Sequence, residues 1–221
     1  MSLVVIGTDT EVGKTVVSAI LLARYGRAVP LGYWKPIASG ASEGSDTDDV
    51  GRWCGHLADV LPPRYIFDAP VSPHLAARLE RRRVTPDAVL EGLVEHATND
   101  PTRSLIVEGI GGLLVPITDD GYLLSHLLAE LHLPCLLVAR STLGTINHTL
   151  LTLEALRQRD IELAGVVLNG PRNQENRRAI ESFGHVQVVA EVEPLPRLGR
   201  AAITKAAKRF DRRARLKLYL G

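Results

Sequence analysis

The sequence is poor in cysteine, with two among its 221 residues. Cys54 and Cys135 lie far apart, and neither belongs to a Cys-x-x-Cys motif or to a cluster of histidine and cysteine. This spacing excludes a disulfide framework and argues against a zinc site, because both need grouped or repeated ligands. Sparse, isolated cysteine is typical of a cytosolic protein.

The sequence also lacks long apolar runs and an excess of charge of either sign. No run approaches the roughly 20 apolar residues that cross a bilayer, and the chain enters LVVIG without the basic region and cleavage site of a secretory signal. The formal net charge of +1 creates no field that would recruit nucleic acid to the whole surface. We therefore expect a cytoplasmic protein with neither a nucleic-acid nor a membrane partner.

Two basic stretches have a simpler explanation than nucleic-acid binding. They are RRR at positions 81–83 and the C-terminal KAAKRFDRRARLKLYL. We predict that both form solvated faces of amphipathic helices. The tail also offers apolar residues that can pack inward, namely Ile203, Ala207, Phe210, Leu216 and Leu220.

The composition present is that of a globular α/β protein. Hydrophobic residues make up 45% of the chain and charged residues 23%, which predicts one domain over residues 1–221 with a large core. Continuous apolar runs rich in β-branched residues predict strands buried on both faces of a parallel sheet. These runs lie at 3–6, 105–107, 136–138 and 166–168, with weaker candidates at 33–36 and 186–189.

Segments of helical length separate these runs, at 13–25, 122–131, 147–159 and 174–183. Strands that alternate with helices favour a mostly parallel sheet flanked by helices on both faces, as in a P-loop fold. Ligands of such sheets bind outside the carboxyl ends of the strands. The functional residues are therefore expected where strands end.

The stretch GTDTEVGKT follows the first predicted strand and opens a helix. The strict phosphate-loop motif has a glycine five residues before the glycine of GK[S/T]. Here Thr8 occupies that position, and Gly7 stands one residue earlier. Because strand, loop and helix follow in the required order, we interpret the segment as a variant phosphate loop and not as a chance GKT.

Such a loop suits a nucleoside triphosphate. Its backbone N–H groups and the helix N-terminus attract phosphate, Lys14 can reach the β- and γ-phosphates, and the Thr15 hydroxyl can bind Mg²⁺. Variant loops also occur in ATPases of the partition and division-site (ParA and MinD) type, which carry a second lysine one residue after the first loop position. Asp9 occupies that position here, which disfavours this class.

Carboxylates that could share Mg²⁺ follow at two places. The strand SLIVEG would bring Glu108 to the carboxyl edge of the sheet, and GSDTDDVGRW supplies Asp46, Asp48 and Asp49. Mg²⁺ usually takes only one or two protein carboxylates. A capped helix with an acidic first turn explains Asp48 and Asp49 well, but Asp46 less well.

Two further segments could approach a ligand. Lys35 follows a predicted strand in YWKPIASG, with Ser39 after it. A lone loop lysine is usually solvated, but its place at a strand end favours a second cationic phosphate contact. Gly111 and Gly112 in EGIGG would let the backbone approach a ligand closely, although a plain turn explains them equally well.

Six segments in order carry a family resemblance. GTDTEVGKT, KPIASG, SPH, VEGIGGLLVPI, LGTINHTLLTLEAL and VVLNG extend from Gly7 to Gly170. Together they closely resemble the ATP-dependent dethiobiotin synthetases of biotin biosynthesis. The residues after Gly170 match that family poorly, and the family more often has alanine at the position of Ile110.

The resemblance implies a reaction. These enzymes join CO₂ to 7,8-diaminopelargonic acid as a carbamate on one amine, ATP phosphorylates the carbamate, and the neighbouring amine closes the cyclic urea. Dethiobiotin, ADP and phosphate are the products. Because substrate attacks substrate, no nucleophilic side chain is needed, and catalysis would come from positioning and from cations at the transferring phosphoryl group.

The resemblance also implies residue roles. Lys14, Lys35, Thr10 and Ser39 would act at the reacting carbamate and phosphoryl group, and Thr15, Asp46 and Glu108 would hold Mg²⁺. ATP would lie against Thr8, Asp9, Glu11, Val12, Gly13, Lys14, Thr15 and Val16, with its adenine at Asn169. The diamine would contact Ser39, Gly111 and Gly112, and also Gly144, Thr145, Ile146 and Asn147 at the start of a helix.

In the resembling family this last helix binds the substrate carboxylate from the neighbouring subunit. A homodimer with the substrate site at its interface is therefore expected. Two other functions stay open on the residues alone: a nucleotide-switch ATPase that performs no synthesis, and a related P-loop ligase that acts on a corrin or another carboxylate. Asp9 counts against the first function, because ATPases of that type carry a lysine at its position. The second is disfavoured because this sequence has no glutaminase-like extension with a catalytic cysteine.

Overall fold

In the computed structural model, which describes residues 1–42 and 44–221, strands and helices alternate along the chain. The strands are β1 (Ser2–Gly7), β2 (Leu31–Trp34), β3 (Ile37–Ser39), β4 (Asp59–Leu61), β5 (Tyr65–Phe67), β6 (Ser104–Gly112), β7 (Cys135–Arg140), β8 (Leu163–Asn169) and β9 (Val188–Val192). The helices are α1 (Lys14–Tyr25), α2 (Asp46–Cys54), α3 (Pro73–Leu79), α4 (Pro86–Asn99), α5 (Leu124–Leu131), α6 (Thr145–Arg157), α7 (Gln174–Gly184) and α8 (Arg200–Ala207). Short 3₁₀ turns lie at Gly55–Leu57 and Arg215–Tyr219.

The main sheet of the described residues has seven strands in the order β4-β2-β6-β1-β7-β8-β9. Every neighbouring pair in it is parallel. In the register of β1 against β6, Val5 lies opposite Glu108 and Gly7 opposite Gly112. The first phosphate-loop residues and the Glu108 carboxylate therefore emerge side by side at one edge. β3 and β5 form a separate two-stranded parallel sheet.

The sheet is covered on both faces, which explains its continuous apolar strands. One face packs α1, α2 and α8 around Leu3, Val5, Tyr33 and Ile106. The other face packs the remaining helices around Val4, Ile6 and further apolar residues of β6 to β9. The predicted fold class is thus confirmed.

Several predicted boundaries need correction. The strand expected at 33–36 ends at Trp34, so Lys35 and Pro36 follow it, and the strand expected at 186–189 begins only at Val188. Arg81–Arg83 were expected on a helix face, but α3 ends at Leu79 and Arg81 has a left-handed backbone, with φ of 53°. The helix predicted in the tail ends at Ala207, although all five residues expected to pack inward are buried.

The tail is fixed to the far end of α1 by a buried carboxylate. Asp211 is 2% exposed and accepts hydrogen bonds from the Tyr25 hydroxyl at 2.6 Å and from the backbone N–H groups of Arg215 and Leu216. Arg24 Nε also donates to the Phe210 carbonyl. The polar contacts around Asp211 require a tight turn, which explains why the helix stops before it.

Both edges of the main sheet are short or covered. β4 has three residues at one edge. At the other edge, the backbone N–H of Val188 donates to Glu181 and its carbonyl accepts from Arg177. None of the helices in the described ranges has the length and apolar character needed to cross a bilayer.

Candidate active site

The candidate site lies at the carboxyl ends of the central strands, where the fold class predicts it. The loop after β1 carries the phosphate-loop motif, the end of β6 carries Glu108, and Lys35 directly follows β2. Neighbouring strands end here because all of them run in parallel. Residues far apart in the sequence therefore meet at one place.

The displaced glycine of the variant loop has a packing reason. A Cβ at Gly7 would lie 2.7 Å from Val12 Cγ2 and 2.8 Å from the Asp9 carbonyl oxygen. The loop folds back over Gly7, so this position must lack a side chain. Thr8 continues the strand pairing, since its N–H donates to the Val138 carbonyl at 3.0 Å. The β-branched residue at the motif's first position is thus tied to β7 by a backbone hydrogen bond.

The second half of the loop uses left-handed backbone at two residues. Glu11 has φ of 55°, and Gly13, the residue before α1, has φ of 94°. A Cβ at Gly13 would lie 2.1 Å from Asn169 Nδ2. Asn169 ends β8 and donates from Nδ2 to the Val12 carbonyl at 2.9 Å. Asn169, which was expected to contact the adenine, therefore contacts the phosphate loop itself.

Lys14 is buried, at 7% exposure, and its ammonium is held by backbone carbonyls. Nζ donates to the carbonyls of Asp9 and Gly111 at 3.0 Å each. Burial lowers the pKa of Lys14 to about 8, with Glu108 opposing this shift and Lys35 adding to it. These contacts hold the Lys14 side chain against the phosphate loop.

Three oxygens converge at the start of α1. Thr15 Oγ1 lies 2.8 Å from Asp46 Oδ1 and 2.9 Å from Glu108 Oε1. Since a hydroxyl has one hydrogen, it can donate to only one of the two carboxylates at a time. The set offers more acceptors than donors and consists of hard oxygens, which are the ligands that Mg²⁺ prefers.

The donor set fits Mg²⁺ better than a transition metal. Within residues 1–42 and 44–221 no three His, Cys, Asp or Glu side chains group closely enough to hold a metal ion. Zinc and related metals use such groups, whereas Mg²⁺ takes one or two carboxylates and completes its shell with water and phosphate. Thr15, Asp46 and Glu108 satisfy the second pattern.

Lys35 completes the cluster. Its ammonium forms ion pairs with Asp46 and, at 3.2 Å, with Glu108. Burial opposes the charge on Lys35, but the two carboxylates outweigh it and raise its pKa. In turn, burial would raise the pKa of Asp46, but Lys35 and the Thr15 hydroxyl hold it below its usual range. Asp46, at the first turn of α2, is thus distinguished from Asp48 and Asp49 by geometry.

Two residues that sequence reasoning missed also hold Glu108. Ser18 Oγ and the Tyr33 hydroxyl each donate to Glu108 Oε2 at 3.0 Å, and both side chains are buried. Burial and the nearby Glu108 raise the pKa of Tyr33 well above its usual value, so it stays a donor. Ser18 lies three residues after Thr15 on one helix face, and Tyr33 lies two residues before Lys35 on its strand. The spacing of Ser18 from Thr15 and of Tyr33 from Lys35 was the feature of the sequence that could have predicted their contact with Glu108.

The remaining predicted residues border this centre. Thr10 and Glu11 are exposed on the loop, Val12 is buried beneath it, and Val16 is half-buried in α1. Ser39 is half-buried at the end of β3. Gly111 has φ of 60° and supplies the carbonyl that holds Lys14. A Cβ at Gly112 would lie 3.3 Å from the Thr8 carbonyl oxygen, so β6 passes close beside the loop.

A cleft lies between the phosphate loop and one face of α6. It has a volume of about 360 Å³ and lies between Thr8 and Asp9 on one side and His148 and Leu151 on the other. Gly144, with φ of 91°, precedes α6, whose first residue Thr145 is buried. Ile146 is half-buried and Asn147 is exposed.

Two exposed leucines, Leu114 and Leu151, line this cleft, and a third, Leu143, lies two residues before α6. Leu143 is 99% exposed, Leu151 57% and Leu114 53%. Large apolar side chains grouped at a surface mark an interaction site more often than an ordinary exterior. The segment that was predicted to bind substrate thus follows the exposed Leu143 directly and begins the helix that also carries Leu151.

The sequence is similar to known proteins over most of its length. The family model described as "AAA domain" matches residues 1–202. A protein of Paramagnetospirillum magneticum named "ATP-dependent dethiobiotin synthetase BioD" is 50% identical over 199 residues, which cover 90% of this chain and 91% of that protein. A protein of the same name from Agrobacterium fabrum is 42% identical, with 94% and 93% covered.

Solved structures are similar at the level of the fold. MinD in the MinC:MinD cell division complex of Aquifex aeolicus aligns with a TM-score of 0.57 and 13% identity, covering 95% of each chain. A ParA family ATPase from Chlorobium tepidum aligns with a TM-score of 0.55 and 10% identity, covering 98% of this chain and 91% of that one. At such identities the likeness concerns the architecture alone.

Proposed function

Because the chain belongs to the ATP-dependent dethiobiotin synthetase family, we propose that it carboxylates 7,8-diaminopelargonic acid with CO₂ and closes the cyclic urea at the expense of ATP. The observation that carries the proposal is the cluster of Lys35, Asp46, Glu108 and Thr15 directly beside the phosphate loop. A cation and metal-binding oxygens beside a phosphate loop are the groups that transfer of a phosphoryl group requires.

The phosphate loop would hold the triphosphate. The N–H groups at the start of α1 attract its anionic oxygens, and Lys14 would leave the carbonyls of Asp9 and Gly111 to contact the β- and γ-phosphates. Thr15, Asp46 and Glu108 would hold Mg²⁺, which neutralises phosphate charge when bound. Ser18 and Tyr33 would keep Glu108 oriented toward it. Asn169 would meet the adenine end.

Lys35 would act on the transferring group. The carbamate oxygen attacks the γ-phosphorus, the bond to the β-γ bridging oxygen breaks, and ADP leaves with that oxygen. Negative charge spreads over the transferring oxygens in this step, and a preorganised ammonium lowers its free energy. Lys35 is already held at the site by two carboxylates, so little reorganisation is needed. Thr10 and Ser39 would orient the carbamate from either side.

The second step needs alignment more than acid or base strength. The free amine attacks the carbamoyl carbon, phosphate leaves, and the ring closes as the amine loses a proton. Correct placement of two reacting groups can contribute roughly 7–11 kcal/mol to lowering such a barrier. Gly111 and Gly112 would allow the chain of the diamine to lie against β6, and residues Gly144 to Asn147 would bind its carboxylate at the N-terminus of α6.

We also propose that this α6 segment serves the site of a second subunit. Leu114, Leu143 and Leu151 would then be covered in a homodimer, which removes apolar surface from water. The substrate would then be bound between the two subunits.

The test is mass spectrometry of a reaction that contains the protein, Mg-ATP, labelled bicarbonate and 7,8-diaminopelargonic acid, with ADP followed in parallel. We expect the label in dethiobiotin and ADP release that requires the diamine. Lys14→Ala and Lys35→Ala should lose turnover, whereas Lys208→Ala, on the exposed tail, should retain it. ADP release that ignores the diamine, with no labelled product, would instead support a nucleotide-switch ATPase.

A further inference from the structure

The variant phosphate loop contains a carboxylate where an anion must bind. Asp9 is the second residue after the displaced Gly7, and its side chain is 48% exposed. A negative charge at this place repels the phosphates of a nucleotide. The loop can therefore bind a nucleotide tightly only if that charge is balanced by a nearby cation.

Arg140 provides the balancing charge from a neighbouring strand. Its guanidinium Nη2 donates to Asp9 Oδ2 at 3.0 Å. Arg140 is the last residue of β7, next to β1 in the sheet, and lies opposite Asn169 of β8 in register. The cation is thus attached to the rigid sheet, whereas its partner belongs to the loop.

The Asp9 residue connects this ion pair to the rest of the loop. Asp9 Oδ1 accepts the N–H of Thr10 at 2.7 Å, and the Asp9 carbonyl accepts Lys14 Nζ at 3.0 Å. Fixing the Asp9 carboxylate therefore fixes the peptide group whose carbonyl holds the phosphate-binding lysine. The contacts run from Arg140 through Asp9 to Lys14.

We propose that Arg140 is a positioning residue for nucleotide binding, which holds the phosphate loop through Asp9 and cancels the charge of that carboxylate. The inference rests on the proposed function only in that the loop binds Mg-ATP. Arg140 thereby restrains the first half of a loop that has Thr8 and not glycine at the first motif position. It also explains how aspartate is tolerated at this position.

The ion pair is half-exposed, so its effect should be modest and dependent on salt. We expect Arg140→Gln to weaken Mg-ATP binding about fivefold at low ionic strength, equivalent to about 1 kcal/mol. Arg140→Lys should recover part of the loss. Asp9→Asn removes the repulsion together with the anchor, so it supplies the background in which Arg140 has no partner.

The experiment is a double-mutant cycle with isothermal titration of Mg-ATP and Mg-ADP at low and high salt. Arg140→Gln should weaken binding in the presence of Asp9 and have almost no effect in Asp9→Asn, and its effect should shrink at high salt. Arg178→Gln, which breaks the exposed pair with Glu175 on α7, is the matched control. A loss from Arg140→Gln that is equal in both backgrounds, or no loss at all, would overturn the inference.

Turnover adds a second readout that separates the two proposals. Arg140→Gln should raise the KM for ATP by a similar factor and leave kcat within about twofold, since the pair acts on binding. If wild-type protein binds Mg-ATP with this coupling but forms no dethiobiotin, the proposed function fails and the role of Arg140 stands. Urea unfolding of each variant checks that the fold is intact.

Discussion

The ammonium of Lys35 lies 3.2 Å from the carboxylate of Glu108, and their side chains are 7% and 0% exposed. Two charges removed from water in this way depend on each other, because either one alone would be an uncompensated buried charge. The pair is fixed by secondary structure, with Lys35 directly after β2 and Glu108 within the adjacent β6.

Lys35→Met should therefore affect stability as well as turnover. Removing one partner of a buried ion pair costs about 3 kcal/mol, so we expect a lower urea midpoint with an unchanged slope. Millimolar Mg²⁺ should restore stability more in this variant than in wild type, because a cation would again face Glu108 and Asp46. Equal midpoints for Lys35→Met and Lys208→Met would show that the pair contributes nothing to the fold.

Tyr33→Phe should weaken metal binding without unfolding the protein. It removes one of the two hydroxyls that donate to Glu108 Oε2, and loss of such a supporting contact typically costs about tenfold or more in metal affinity. Titration of Mg²⁺ against the ADP-bound protein measures this, and Ser18→Ala should behave alike. The distant Tyr25→Phe serves as the control. Unchanged Mg²⁺ dependence would limit Ser18 and Tyr33 to a packing role.

Gly13→Ala should abolish nucleotide binding. An alanine there combines left-handed backbone, with φ of 94°, and a Cβ placed 2.1 Å from Asn169 Nδ2. Gly121→Ala separates these effects, since Gly121 has φ of 89° but among the described residues nothing lies within 4 Å of its added Cβ. We expect Gly121→Ala to bind Mg-ATP normally. If it lost binding as Gly13→Ala does, the contact with Asn169 would not be the cause.

Tyr25→Phe should destabilise the fold and spare catalysis. The change removes the 2.6 Å hydrogen bond to the buried Asp211 carboxylate, and leaving such a group short of a donor costs about 1–3 kcal/mol. Urea unfolding should register the loss, while kcat and the KM for ATP stay within about twofold. A fall in kcat at temperatures well below the transition would mean that the tail contributes to the site.

Leu143→Glu tests the proposed dimer. Leu143 is 99% exposed at the start of α6, and a charge within a covered apolar surface disfavours association. Light scattering should give a dimer mass for wild type and for Leu218→Glu, which changes another exposed leucine, and a lower mass for Leu143→Glu. The KM for the diamine should rise in the monomeric variant. A wild-type monomer would contradict the proposal.

The features that the sequence predicted well are formed by residues close together in the chain. The phosphate loop is contiguous, so the order of strand, glycine, GKT and helix reveals it even with Thr8 at the motif's first position. Glu108 and Lys35 were recognised because each stands at the end of an apolar run. Contacts between distant segments left no such pattern: nothing in the sequence connects Tyr25 with Asp211, which ends the tail helix early.

The same reasoning explains what was missed at the site. Tyr33 was interpreted only as part of a predicted strand. Its hydroxyl reaches Glu108 because β2 lies beside β6 in the sheet. Arg140 had no assigned role, and its partner Asp9 is 131 positions away in the chain. Strand order decides such contacts, and a single sequence does not contain it.

The covered sheet edges restrict how this protein can associate with itself. A parallel sheet grows by adding a strand to an edge, but here the backbone of Val188 is already bonded to Arg177 and Glu181, and β4 offers only three residues. Such devices protect against open-ended polymerisation. An Arg177→Ala variant, which frees the Val188 carbonyl, should therefore associate more readily through this sheet edge than the wild type does.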